Sequence, residues 1–111
     1  FIICGNWHIA PSAADVQDTA KNSATSGFLA EERQWMDELL VSGYVDAFRE
    51  INSDRDEFSW WPDGERGDNG WRTDFHIISQ GLKYSVDYGA IYKIKEFSTH
   101  APVIMDYDIE L

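Results

Sequence analysis

Two hydrophobic periods run through this chain in separate places, and their order limits the fold more than anything else in it. Leu29, Met36, Leu39 and Leu40 lie at helical spacing, with Trp35 and Leu39 as an i,i+4 pair. Val103, Met105, Tyr107 and Ile109 instead alternate with Ile104, Asp106 and Asp108, the period-two pattern of a strand with one covered face. One long helix followed by strands predicts an α+β domain.

The remaining elements follow from local chemistry. Glu31 and Glu32 fall in the first helical turn, where carboxylates suit the positive end, and Gly43 supplies the stop. Val45 to Ile51 reads as a second, short helix with Val45, Phe48 and Ile51 three apart. Phe1 to Cys4 reads as a buried strand ending at Gly5, and residues 11–27 as a surface loop. Phe58 to Trp61, Trp71 to Ser79 and Val86 to Ile94 are further strand candidates, with a glycine-rich loop from Pro62 to Gly70. The sum is about five strands with helix covering one sheet face. No internal repeat is present.

At 111 residues and 12.7 kDa the chain makes one domain, residues 1–111, large enough to bury roughly two-thirds of its unfolded surface. A hydrophobic fraction of 43%, with five Trp, excludes intrinsic disorder. The single cysteine, Cys4, forms no disulfide framework; it reads as a small core residue and points to a reducing, cytoplasmic compartment. No apolar run approaches the ~20 residues of a membrane span. With 20 Asp plus Glu against 9 Lys plus Arg, the net charge of −11 repels duplex DNA instead of steering it in.

Three separated motifs carry a resemblance. They are Ile2-Ile3-Cys4-Gly5-Asn6-Trp7-His8-Ile9-Ala10-Pro11, Gly70-Trp71-Arg72-Thr73-Asp74 and Phe97-Ser98-Thr99-His100-Ala101-Pro102. The run from Gly27 to Asp37 agrees with them, with Ala30 where a proline is usual. Together they resemble the C-terminal half of the exodeoxyribonuclease III and apurinic endonuclease family, within the endonuclease/exonuclease/phosphatase superfamily. The resemblance implies half of a four-layer α/β-sandwich, one mixed and mostly antiparallel sheet with helix on one face. Family members hydrolyse DNA phosphodiesters with Mg²⁺, and their N-terminal half supplies a metal-binding Glu and an Asn. Phe1 falls inside a strand, so truncation is expected.

The resemblance also locates the site and its losses. Asp74 and His100 match a retained dyad in which the carboxylate holds one imidazole nitrogen; the bland reading is a structural pair left by ancestry. Asn6 stands where the family has the Asp that readies the attacking water, His8 where it has a phosphate-binding Asn, and Thr99 where it has a metal-binding Asp. An amide cannot act as a base, and losing a general base costs ~10²–10⁴-fold. Thr99 removes a hard ligand for the divalent ion. No metal cofactor is therefore expected, apart from a weaker possibility, a zinc site from His8, His100 and Asp74. His76 reads as a sheet side chain.

Trp60, Trp61 and Trp71 match the aromatics that line the abasic-site pocket in the resembled enzymes, and aromatics stack on bases or extruded sugars. The alternative is that they fill the core. The Pro62–Gly70 loop is shorter than in the family and carries Asp63, Glu65 and Asp68 where basic and amide residues usually meet the DNA backbone. Arg72 reads as a structural ion-pair donor. Asp54, Asp56 and Glu57 read as a solvated turn without calcium-loop spacing.

These readings converge on a degenerate lobe of a DNA-repair nuclease fold that is not catalytic by the family route. It would serve as a binding or assembly module, dimerising through an apolar sheet face that a monomer would leave exposed. The rivals are a Mg²⁺-dependent exonuclease or apurinic endonuclease completed by a separate N-terminal lobe, and nucleic-acid binding without cleavage.

Overall fold

The computed structural model describes residues 1–64 and 66–110. Five strands and two helices form: β1 (Ile2–Asn6), α1 (Ala30–Val41), β2 (Tyr44–Asp46), α2 (Ala47–Ile51), β3 (Asp74–Ser79), β4 (Val86–Ile91) and β5 (Val103–Tyr107). All strand pairings are antiparallel. The five strands are shared between a three-stranded sheet, ordered β1-β3-β2, and a β4-β5 pair, instead of lying in a single sheet. A short 3₁₀ stretch, Gln80–Ser85, separates the two, and a register shift between Val86 and Tyr88 bends the second pair.

β3 is the centre of the fold because its alternation serves both faces. Phe75 and Ile77 point to one side, where they pack with Met36 of α1. Ile78 points to the other and packs with Val45 and Ala47, flanked by Met105 and Tyr107 of β5. A third cluster gathers Phe48 of α2 with Phe58, Trp61, Ile91 and Ala101, and a fourth holds Ala10, Val16, Phe28 and Trp71.

α1 starts and stops as its sequence dictates. The Glu32 carboxylate accepts from the backbone N–H of Leu29 at 3.0 Å and of Gly27 at 2.7 Å, satisfying orphan donors at the helix entry. At the exit Gly43 takes a φ of 112°, the left-handed conformation that a glycine adopts without strain.

Four expectations need correction. Val45 is not helical; it pairs with Ile78 in the sheet, and α2 begins only at Ala47. Asp46 stands at the N-cap of α2, but its side chain is bound to Arg72 and makes no cap hydrogen bond. The Phe1–Cys4 segment is a strand, but β1 is exposed along its whole length because only β3 pairs with it and no described element packs over it. Cys4 is accordingly exposed, not core. Phe58 to Trp61 forms no strand: Trp60 makes isolated bridges to Trp71 and His100, and Pro62, lacking an N–H, cannot extend them.

The 11–27 loop is more structured than its composition suggests. It holds a 3₁₀ turn at Ala13–Asp15 and buries Asp15, the anchor of an ion cluster. Arg72 Nε donates to Asp15 Oδ1 at 2.6 Å and its Nη1 to Asp46 Oδ1 at 3.2 Å, while Arg49 Nη2 donates to the same Asp15 oxygen at 2.6 Å. Burial alone would raise the Asp15 carboxyl pKa, but the charges and hydrogen bonds of Arg72 and Arg49 outweigh it and hold the group below its ordinary value. Arg72 is thus the structural ion-pair donor its sequence position predicted. Among the described residues no helix is long and apolar enough to cross a membrane.

Candidate functional site

Asp74 is the first residue of β3 and Asn6 the last of β1, and the register sets them directly opposite each other. His100 arrives from the β4–β5 connection, held by the Trp60 bridge and by Ala101 N–H donating to Ser59 O at 2.7 Å. Its Nδ1 lies 2.7 Å from Asp74 Oδ2, so the dyad expected from sequence is assembled. The imidazole stacks on Trp60 with ring centroids 5.9 Å apart and planes 20° apart.

Asn6, Asp74 and His100 share an open cavity of about 360 Å³ with Cys4, His76 and Ser98. Asp74 is the single carboxylate in its described lining, and that lining contains neither Lys nor Arg. Thr99 is exposed beside it, its carbonyl accepting from Trp61 N–H at 3.4 Å.

A neighbouring pocket of about 150 Å³ is more enclosed and is lined by Asn6, His8, Ser26, Trp60, Trp71 and Thr73. Two of these residues, Trp71 and Thr73, each carry a buried polar atom, Nε1 and Oγ1, with no hydrogen-bond partner. His8 has a φ of 58°, and its backbone N–H donates to Asn6 Oδ1 at 3.1 Å. That turn carries His8 to this second pocket. The two-histidine, one-carboxylate zinc arrangement is not assembled, and among the described residues no group of three or more His, Cys, Asp or Glu is placed to hold a metal.

The donor set of the larger cavity does not fit Mg²⁺ either. A hard divalent ion takes several oxygens, carboxylates foremost. Asn6 and Thr99 are neutral, and one Asp74 oxygen, Oδ2, is already engaged by both the Ser59 hydroxyl and the His100 ring.

The three tryptophans divide. Trp61 is buried in the Phe48 cluster with the Arg66 guanidinium 4.8 Å from its ring centre, so it is core and lines neither pocket. Trp71 is also buried but presents one side to the smaller pocket, and half-buried Trp60 lines the same pocket. In the Pro62–Gly70 loop Asp63 and Asp68 are exposed, and Glu65 lies outside the described residues.

Sequence reasoning missed two features. Ser59, fully buried, donates its hydroxyl to Asp74 Oδ2 at 2.8 Å. The signal was a lone small hydroxyl between Phe58 and Trp60. The second is His76, which faces Cys4 across the β1–β3 pair and meets Tyr107 OH at 2.8 Å through Nδ1. Burial lowers the His76 pKa; burial, with the charges of Cys4 and Asp46, pushes the Tyr107 hydroxyl up to about 12.

No protein-family model matches the sequence. The chain is 33% identical over 106 residues to the exodeoxyribonuclease of Bacillus subtilis, covering 92% of this chain and 42% of that protein. It is 34% identical over 120 residues to exodeoxyribonuclease III of Haemophilus influenzae, covering 96% of this chain and 45% of that protein. An AP endonuclease from Leishmania major superposes with a TM-score of 0.87 at 26% identity, covering 96% of this chain and 34% of that one. The chain spans less than half the length of the curated relatives it matches.

Proposed function

We propose that this chain, related over nearly its whole length to the C-terminal part of the exodeoxyribonuclease III and AP endonuclease proteins, is a lobe of that nuclease fold that binds and assembles without cutting DNA on its own. One observation carries the reading: Asn6 and Asp74 face each other with an amide where a second carboxylate would be needed. An amide neither accepts a proton from water nor supplies the anion that seats a divalent ion. His100 keeps its hydrogen-bond partner, but the neighbouring Asn6 amide cannot ready a water for it to assist.

The assembly half of the proposal rests on β1. Its residues are exposed, Ile2 and Ile3 among them, and one of its edges has no described partner strand. An open apolar edge strand invites pairing with another chain, and a second copy is the occupant we favour. Sedimentation velocity at tens of micromolar giving a clean monomer would remove that half.

The catalytic half is tested with an abasic-site duplex in Mg²⁺, with the chain alone and with an N-terminal lobe from a relative. No cleavage in either mixture is expected. Cleavage appearing only after Asn6→Asp, His8→Asn and Thr99→Asp together would show that side-chain loss, not geometry, silences the site. Cleavage by the unaltered chain would overturn the reading. A second reading, nucleic-acid binding, is favoured by Trp60 and Trp71 around the smaller pocket. Titrating the same duplex at two salt concentrations addresses it, since phosphate-driven binding weakens steeply with salt. No binding at low salt would end it.

A further inference from the structure

Asn69 and Gly70 close the glycine-rich loop and form the one Asn-Gly step in the chain. Such a step is chemically labile, because no Cβ hinders the glycine nitrogen as it approaches the Asn side-chain carbonyl. Packing keeps the glycine in place. A Cβ at Gly70 would lie 2.7 Å from the Phe58 ring, so a larger residue would have to displace a buried aromatic. Both reacting groups are tied down by neighbours. The Gly70 N–H donates to Gln17 Oε1 at 2.9 Å, and the Gln17 N–H donates to Gly70 O at 2.8 Å. The Asn69 side-chain oxygen accepts from Asn22 Nδ2 at 2.7 Å. Asn22 and Asn69 are buried, whereas Gln17 is exposed.

We propose that Asn69 is a self-modification site, deamidating through Gly70, and that the Gln17 side chain is the latch that holds it shut. In the reaction Gly70 N gives its proton to solvent and attacks Asn69 Cγ. A C–N bond forms, the Cγ–Nδ2 bond breaks, and the amide nitrogen takes a proton from water and leaves as ammonia. Water then opens the cyclic imide at either carbonyl, giving aspartate or isoaspartate. The Gln17 bond opposes the first step, since an N–H donating to a carbonyl is held away from Cγ and keeps its proton. The latch is a surface group, so local opening of the two loops, short of unfolding, releases the step. Trp71 follows Gly70, bridged to Trp60 and lining the smaller pocket. Isoaspartate adds a methylene to the main chain just before it, so the modification alters that pocket's wall. This inference goes beyond the proposed function and stands whether or not the chain handles DNA.

The test follows the amide by mass. Purified chain is held in mildly alkaline buffer at physiological temperature, and aliquots are digested with trypsin and read by mass spectrometry. The peptide between Arg66 and Arg72 carries Asn69; the peptide between Arg49 and Arg55 carries Asn52, a reference outside the latch. Folded wild type should convert Asn69 far more slowly than the same chain in urea. Gln17→Met removes the acceptor at similar size. It should speed Asn69 about 2- to 10-fold, the range that one lost hydrogen bond allows, and leave Asn52 unchanged. Gln17→Glu, which keeps an acceptor oxygen, should stay near wild type. No conversion of Asn69 in urea overturns the proposal, and so do equal rates in folded and unfolded wild type. A folded Gln17→Met chain that converts Asn69 at the wild-type rate also overturns it. So does one in which Asn52 accelerates equally, because that is general loosening. If Gln17→Met fails to fold, Gln17→Ser, too short to reach Gly70, takes its place under the same outcomes.

Discussion

Asn6 and Asp74 are a directly opposed cross-strand pair, the last residue of β1 against the first of β3. Like charges at such positions destabilise by roughly 0.2–1 kcal/mol. Asn6→Asp alone is therefore expected to lower stability by about that amount, a few degrees in Tm for a domain of this size. Added Mg²⁺ should recover the loss in the variant and leave wild type unmoved, because only the variant opposes two carboxylates. Thermal melts with and without the ion check this. A variant as stable as wild type in both conditions would mean the two side chains do not share the site.

The Arg72 cluster makes a larger prediction. Arg72 is 1% exposed and donates to Asp15 and Asp46. Removing one partner of a buried ionic group costs about 3–5 kcal/mol, a large share of the 5–15 kcal/mol available to a small domain. Arg72→Met should lower the urea midpoint by a third or more, whereas Arg49→Met, which removes the outer and more exposed donor, should cost less.

The same cluster gives an acid-side slope. Asp15 titrates lower folded than unfolded. Its stabilisation is complete above its ordinary value of 3.8 and is lost as pH falls through the lower folded value. Urea midpoints measured downward from pH 5 should fall, and Asp15→Asn should flatten that fall from a lower starting point.

His76 acts in a different window. Burial lowers its pKa below 6.5, so the unfolded chain binds the proton more readily than the folded one. His76 imposes no penalty above that value and destabilises as pH falls below it. His76→Phe should remove this slope below pH 6.5 while costing about 1 kcal/mol above it for the lost Tyr107 partner. Stability that stays flat in wild type as pH falls from 6.5 would contradict the burial.

Much of this arrangement was legible in the sequence, and the reasons for the rest are physical. Met36, Leu39 and Leu40 marked α1, and the Trp71 to Ser79 run marked a strand that forms over Asp74–Ser79. The Asp74–His100 pair was implied only by the family resemblance, since those residues meet through long-range pairing that no local pattern encodes. Val45 misled because a period of three fits both a short helix and a strand leading into one. Cys4 and the Phe1–Cys4 segment misled because an apolar run tells of a preference for burial, not of what is present to bury it. Ser59 was missed because a serine beside aromatics has no period of its own; its role appears only once two backbone N–H groups converge on it.

Two glycines separate conformational strain from steric clash. Gly27 and Gly43 both have a φ in the left-handed half of the map, 101° and 112°. A Cβ at Gly43 would meet nothing within 4 Å, so Gly43→Ala should cost only the backbone penalty, more than about 1 kcal/mol where alanine must hold positive φ. A Cβ at Gly27 would lie 2.9 Å from His8 O and 2.9 Å from the Trp71 ring. Neither neighbour can yield freely: one is backbone in the turn that carries His8, the other a buried indole. Gly27→Ala should therefore cost clearly more than Gly43→Ala, by a further 1–3 kcal/mol typical of overpacking. It should also disturb the smaller pocket, because Trp71 forms its wall. Urea titrations of the two variants side by side, with Trp fluorescence as the probe, measure the difference. Equal costs would show that the His8 turn and the Trp71 ring do not close on Gly27.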